Sequence, residues 1–343
     1  GIIFPENIAG TLVTEAVRGE GGLLLNGKGE RFMSKYDPER MELSTRDKVA
    51  IANYTEIIEG RTSPNGGVYL DISHKEKDNI IKKLPQIYRF FIEEQMLDIT
   101  KKPMEVSPTA HYSMGGIAVS DKDHSTGVNG LFACGEVAGG LHGANRLGGN
   151  SLAEILVFGK QTGQSAVEYS KDLSNHLRSN DSINEAHKNI NKHLKKGNQI
   201  AREIEHKIRD TMWKNCGVVR EEKSLNNAIE NINKLSELAT DIDVRVDSGD
   251  YHDLILAFNV ESSLITAKAT ILSALARKES IGSHQRKDFP HNNNNNNQVN
   301  YLIYKGKDDL KLIIRKVKEV KEDLKLVINR TDKKIDLQGK LIE

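Results

Sequence analysis

Cysteine is scarce: Cys134 and Cys216 are the two in 343 residues. That is too few for an iron–sulfur cluster, a structural zinc site or a disulfide framework, and it fits a reducing compartment. A run of about 18 apolar residues is also missing, so no bilayer-spanning segment is expected. Neither sign of charge dominates. Lys and Arg number 49 against 48 Asp and Glu, a formal net charge of +1, which argues against nucleic acid or an anionic membrane as the main partner. The basic stretch KHLKK at 192–196 reads as a solvated helix face. No internal repeat and no signal-peptide pattern is visible. The chain opens without Met, on GIIFPENIAG, which reads as a start inside a larger gene product.

What is present suits two ordinary domains or one large enzyme domain: 37% hydrophobic and 28% charged residues allow a packed core beneath a solvated surface. Residues 1–106 mix short apolar segments with turns. Positions 68–72 read as a strand and 46–59 as a helix after a Ser44-Thr45 cap. A second helix over 77–96 carries Ile80, Leu84, Ile87 and Phe91 at helical spacing, with a break expected at Pro85.

From 109 to 167 glycine becomes dense and charge sparse. Residues 128–135 (VNGLFACG) read as a short strand, followed by a glycine loop and a helix capped by Asn150-Ser151. Strand, glycine loop and helix start in that order predict a cofactor-facing edge of an α/β layer. Residues 181–278 read as three amphipathic helices packed as a small bundle, the first interrupted at Gly197. Six asparagines, 292–297, read as an exposed low-complexity loop. In the tail, strand and helix periodicities compete and strands are preferred.

The chemistry concentrates in HGANRLGGNS (142–151), preceded by ACGEV (133–137). Its glycines let backbone approach a flat or charged ligand. Glu136 is placed to accept from a ribose hydroxyl. The amides of Ser151 and Leu152, unpaired at a helix start, would face negative charge, and Arg146 offers a fork for a carboxylate. A structural glycine turn with a surface arginine explains the same residues.

Longer motifs then weigh in. The 109–163 segment containing TAHYSMGG and GLFACGEVAGGLHGANRLGGNSLAEILVFG, together with TEAVRGEGGLLLNGKGERFM (14–33), ELSTRDK (42–48) and ESIGSHQRKDFP (279–290), resembles the flavoprotein subunit of fumarate reductase and succinate dehydrogenase. L-aspartate oxidase is a close relative. The resemblance covers residues 1 to about 290 and implies FAD, with hydride transfer between flavin and a four-carbon dicarboxylate.

Carried over by residue, it implies that Glu136 binds the adenosine ribose and that Asn150, Ser151 and Leu152 line the flavin ring. It makes Thr14, His111 and Arg146 contacts of the dicarboxylate substrate. Arg46 becomes the proton donor to substrate carbon, with Glu15 and Arg18 as its relay. A guanidinium with a pKa above about 12 is a poor acid toward water, but hydride addition creates carbanion character, a far stronger base. Arg31 and Tyr36 are assigned to structure.

The fold implied is α+β: a capping domain at 1–106, the C-terminal part of an FAD-binding α/β domain at 107–167, a helical bundle domain at 168–290, and a loop with a β tail at 291–343. Partners implied are an iron–sulfur protein subunit, with membrane anchor subunits reached through it, and a peripheral place on the cytoplasmic face. No nucleic-acid partner and no metal ligands are expected. Three departures stand out. The family's pyrophosphate-binding glycine motif lies upstream of this chain, a His-Pro-Thr element that meets substrate would sit just before Gly1, and Ile281 replaces an arginine. The rival readings are L-aspartate oxidase and a fragment not competent for catalysis alone.

Overall fold

The computed structural model describes residues 1–174, 179–246, 251–293, 298–307 and 309–322. Most of the asparagine run and the tail beyond 322 lie outside the described residues. The chain divides into a unit of Gly1–Asn292 and a second of Asn293–Glu343.

The first unit begins with a three-stranded antiparallel sheet. Helix α1 (Ala16–Gly19) leads into strand β1 (Leu23–Leu25), and helix α2 (Met33–Tyr36) precedes helix α3 (Arg46–Ile58) and strand β2 (Val68–Asp71). Two helices follow, α4 (Lys77–Lys83) and α5 (Pro85–Gln95), and then strand β3 (Met104–Val106). The break expected at Pro85 is there: proline cannot supply the amide to continue α4, so it opens α5 instead. Pairing of Leu24 with Leu70 and of Leu70 with Met104 lines three buried side chains across one face. Val17, Met33, Val49, Ala52, Ile80 and Phe91 close over that face in a single cluster. Each such fully buried aliphatic or aromatic side chain contributes roughly 1.5–3 kcal/mol, which fixes α1 and the start of α3 against the sheet.

Residues 107–149 are irregular. The strand expected at 128–135 is not formed; Phe132 makes one isolated bridge to Ser125, and Ile117 makes another to Ala138. The pairing with residues 124–126 is confined to that bridge and the flanking bonds Thr126 N to Leu131 O at 2.9 Å and Ala133 N to His124 O at 3.1 Å, too short a ladder for a strand. Helix α6 (Asn150–Lys171) follows, with Glu154 and Thr162 its buried residues. Leu147 and Leu156 are 73% and 74% exposed, so this part of the chain presents an uncovered apolar face.

The helical part has four helices among the described residues where three were expected. Helix α7 (Asn180–Asn191) buries nothing, while α8 (Ala201–Cys216) belongs to the core. The interruption at Gly197 separates them, because a β-carbon there would lie 2.2 Å from the Asp241 carbonyl oxygen. Strand β4 (Val219–Arg220), helix α9 (Glu222–Leu238) and helix α10 (His252–Ala276) complete it, with β4 parallel to β5 (Gln285–Arg286). Buried positions recur three and four apart on all three core helices: Ala201, Ile204, Ile208 on α8; Leu225, Ala228, Ile232 on α9; Ala257, Val260, Leu264 on α10. That is the spacing of knobs packed into holes. Contrary to expectation, α10 is long and apolar enough in composition to cross a membrane; here its Ala257-to-Ala274 face is buried against α8 and α9.

Arg286 is fully buried. It donates to the carbonyls of Ala274 at 2.7 Å and Arg277 at 3.2 Å at the end of α10, pairs with Asp288 through both Nε and Nη2, and stacks on Phe289 at 5.0 Å. The second unit holds an antiparallel hairpin of β6 (Val299–Lys305) and β7 (Leu310–Lys316), so strands prevail in the described tail.

Candidate functional site

A cleft of about 200 Å³ opens where the start of α3 meets the loop before α1 and the segment after β3, and Thr14, Glu15, Arg18, Arg46, Asn53 and His111 line it. Sequence positions 14–18, 46 and 111 thus come together in one place. Arg46 is the first residue of α3 after the extended Thr45 cap, whose side chain makes no capping bond. Glu15 precedes α1. Arg46 Nε donates to Glu15 Oε2 at 2.6 Å, both side chains being half exposed. The pair shifts both groups: the Arg46 hydrogen bond holds Glu15 below the usual carboxylate range, and Glu15 raises Arg46 above the ordinary guanidinium value. Asn53, two turns further along α3 on the same face, is buried with its Oδ1 unpartnered among the described residues.

Arg18 is more enclosed, and burial lowers its pKa although the nearby Glu15 carboxylate pulls it up. Its Nη1 donates to the Glu42 carbonyl and, at 3.4 Å, to that of Ser44. Glu42 holds that loop. Its buried carboxylate accepts from Arg31 at 2.6 and 2.9 Å and from the Leu24 amide at 3.2 Å. Burial pushes Glu42 up, yet these donors outweigh it and leave it ionised below its ordinary value. Glu42 was read only as part of a motif; its role depends on partners 11 and 18 positions away.

Arg31 and Tyr36 keep their structural assignment. Tyr36, Asn26 and Arg61 all donate to the buried Glu56 carboxylate at 2.5–2.9 Å, and the Arg61 bonds lead in holding Glu56 down to about 2.

Arg146 is not among the cleft-lining residues. Its guanidinium lies over the Tyr112 ring at 4.4 Å, its Nη1 makes only long contacts of 3.4 Å to the Leu147 carbonyl and Ser151 Oγ, and its Nε is buried and unpartnered. Tyr112 in turn donates to Glu154 at 2.7 Å, and His142 Nε2 meets the same carboxylate oxygen at 2.8 Å. Tyr112 and Glu154 lie within the motifs TAHYSMGG and NSLAEILVFG, but nothing in the sequence says that they meet across 42 positions.

Glu136 accepts from the Ser113 amide at 2.9 Å through Oε1. The α6 start differs from expectation. Gly149 with φ +82° is the cap, Asn150 is the first helical residue, and the Leu152 amide donates to Gly149 at 3.2 Å in place of standing free. A left-handed cap residue tightens the first turn enough to close that bond. The ten-residue stretch before it suits a large planar ligand on two counts. Gly139 packs so closely on Gly116 that a β-carbon would lie 2.9 Å from the Gly116 amide nitrogen, and Gly140 and Gly143 hold positive φ. The Glu136 side chain and the N-terminus of a 22-residue helix complete a fit to FAD.

The fold and these residues define a flavoprotein. Residues 2–152 match the FAD binding domain family, and residues 205–334 match the family described as Fumarate reductase flavoprotein C-term. The chain belongs to the family of fumarate reductase and succinate dehydrogenase flavoprotein subunits. It is 47% identical over 291 residues to a CoM/CoB fumarate reductase chain of Methanothermobacter marburgensis, covering 84% of this chain and 52% of that protein. With the fumarate reductase flavoprotein subunit of Escherichia coli it shares 38% over 302 residues, 82% of this chain and 50% of the relative. An E. coli quinol fumarate reductase FrdA structure superposes with a TM-score of 0.84 at 32% identity, covering 91% of this chain and 57% of the other. The Mycobacterium smegmatis Sdh1 structure in complex with UQ1 gives 0.82 at 33%, covering all of this chain and 57% of the other. The chain therefore spans about half the length of the relatives it matches.

Proposed function

We propose that this chain carries the substrate-binding and proton-delivering part of an enzyme that interconverts fumarate and succinate. The observation that carries the proposal is the Glu15–Arg46 pair in a cleft shared with Thr14, Arg18 and His111. A four-carbon dicarboxylate has two anionic ends, and His111, Thr14 and Arg146 supply donors and fixed charge for them. In this reading residues 1–106 close over the substrate, 107–167 contribute to the flavin cradle and 168–290 brace both.

Glu136, Asn150, Ser151 and Leu152 would hold FAD, which supplies the hydride for one olefinic carbon when bound. The chain's own task is the proton for the other carbon. Arg46 keeps its proton against water, because Glu15 strengthens its hold on it, and gives it up only to the strongly basic carbon. Glu15, ionised at rest, takes a proton from Arg18, weakened as a base by burial, and passes it to Arg46; Arg18 recovers its own from solvent. In the oxidative direction the same groups accept. The named relatives favour this reading over L-aspartate oxidase. Electrons pass to or from an iron–sulfur partner subunit, and partner subunits hold the assembly at the inner face of the membrane.

The test is to purify the protein from its gene, record the flavin spectrum and assay fumarate reduction with a reduced viologen dye. Bound flavin with fumarate turnover is the expected result. Bound flavin with no turnover of fumarate or succinate sinks the proposal.

A further inference from the structure

Arginines that serve structure in this chain are engaged along their edges: Arg61 by Glu56, Arg31 by Glu42, Arg286 by Asp288. Arg146 is held differently. Among the described residues it has no carboxylate partner, its two contacts are 3.4 Å long, and its Nε is buried without one. What fixes it is the Tyr112 ring, 4.4 Å beneath its carbon centre. A guanidinium binds a carboxylate in its plane, through its edge. Stacking takes the face and leaves the edge and the charge free, which a salt bridge cannot do.

The ring is itself braced from two directions. Its hydroxyl donates to Glu154 at 2.7 Å, and His142 packs against it edge to face at 5.4 Å while its Nε2 lies 2.8 Å from the same Glu154 oxygen. Both contacts converge on the one Glu154 oxygen, Oε2. The Glu154 and His142 side chains are 3% and 6% exposed, so neither brace swings away easily. Burial, and then Glu154, push Tyr112 up to about 12, which keeps it a neutral donor. A ring held rigidly in this way keeps its face under the cation.

Resting on the proposed dicarboxylate function, we infer that Tyr112, seated by Glu154 and His142, is a positioning residue that holds the Arg146 guanidinium face-on so that its edge stays open to a substrate carboxylate. The residues act in series, Glu154 and His142 on Tyr112 and Tyr112 on Arg146. None of the three braces touches substrate.

The test uses the flavin-loaded protein, with malonate as the binding probe read by flavin absorbance and fumarate for turnover. Tyr112→Leu should raise the malonate Kd by about thirty-fold, the size of a desolvated cation–π contact, and raise KM more than it lowers kcat. Tyr112→Phe and Glu154→Gln, which keep the stack but loosen the ring, should each give a smaller rise, and they serve if Tyr112→Leu does not fold. In an Arg146→Ala background Tyr112→Phe should add nothing, because residues acting through one group are not additive. Full additivity, or unchanged Kd and KM in a folded Tyr112→Phe and Glu154→Gln, overturns the inference while leaving the proposed function in place. A wild-type protein that neither binds malonate nor reduces fumarate fails at the earlier step and overturns both.

Discussion

Arg46 Nε and Glu15 Oε2 lie 2.6 Å apart although 31 positions separate them in the chain. The contact joins the loop before α1 to the first turn of α3, and each partner drives the other further into its charged form. Arg46→Gln keeps a similar length but removes the transferable proton. Turnover of fumarate should fall by at least about 10²–10⁴-fold, the range of a general acid, with flavin content unchanged. Glu15→Gln should lower kcat as well, with a smaller effect on malonate affinity. Steady-state assays with flavin absorbance check both; Arg46→Gln with wild-type kcat would remove Arg46 from the mechanism.

Glu56 gives a stability signature at acid pH. Its folded pKa of about 2 lies below its ordinary value of 4.5, so the unfolded chain binds more protons between those limits. Its contribution is complete above about 4.5 and is lost as pH falls toward 2. Urea melts across that window should show the loss, and Glu56→Gln should flatten it while costing about 3 kcal/mol at pH 7, the scale of a broken buried pair.

His284 acts in a higher window. Burial, then the Arg220 guanidinium 2.9 Å from its Nδ1, lowers its pKa to about 4 from 6.5. The neutral ring is the folded form, so stability should decline as pH drops from 6.5 toward 4. His284→Asn should remove that slope while leaving the lower Glu56 window intact, which separates the two in pH-dependent melts.

Arg286 closes the end of α10. Arg286→Met fills similar volume but strands the carbonyls of Ala274 and Arg277 and the Asp288 carboxylate, which Arg286 holds at about 2. A loss of about 3–5 kcal/mol is expected, read as an earlier unfolding midpoint. Arg286→Lys, which cannot bond the carbonyls and both Asp288 oxygens together, should recover only part of it.

Local signals were the legible ones. Pro85 marked the break between α4 and α5, Gly197 the break before α8, and the three-and-four spacing marked the bundle core. Residues 14–18, 46 and 111 were reached through long motifs, since nothing in their spacing says that they meet. The 128–135 segment misled because its pairing partner, residues 124–126, gives it only a single bridge. Tyr112, Glu42 and Glu154 stayed hidden because each matters through a contact made only after folding, between residues 11 to 42 apart. The stacking of Arg146 on Tyr112 is likewise a property of three dimensions.

One junction ties these parts together. The Ala144 carbonyl, two residues before Arg146, accepts from both the amide and the hydroxyl of Ser283 at 3.0 and 3.1 Å, across 139 positions. Gly282 beside it has φ +56° and comes so close that a β-carbon would lie 2.4 Å from that same carbonyl. Glycine is thus the residue that this crossing admits. The loop bearing Arg146 is therefore clamped by a segment that follows α10. Assembly of the bundle thus becomes a checkpoint for this loop: a chain whose last helices have not closed would carry Arg146 out of register, however sound its cleft.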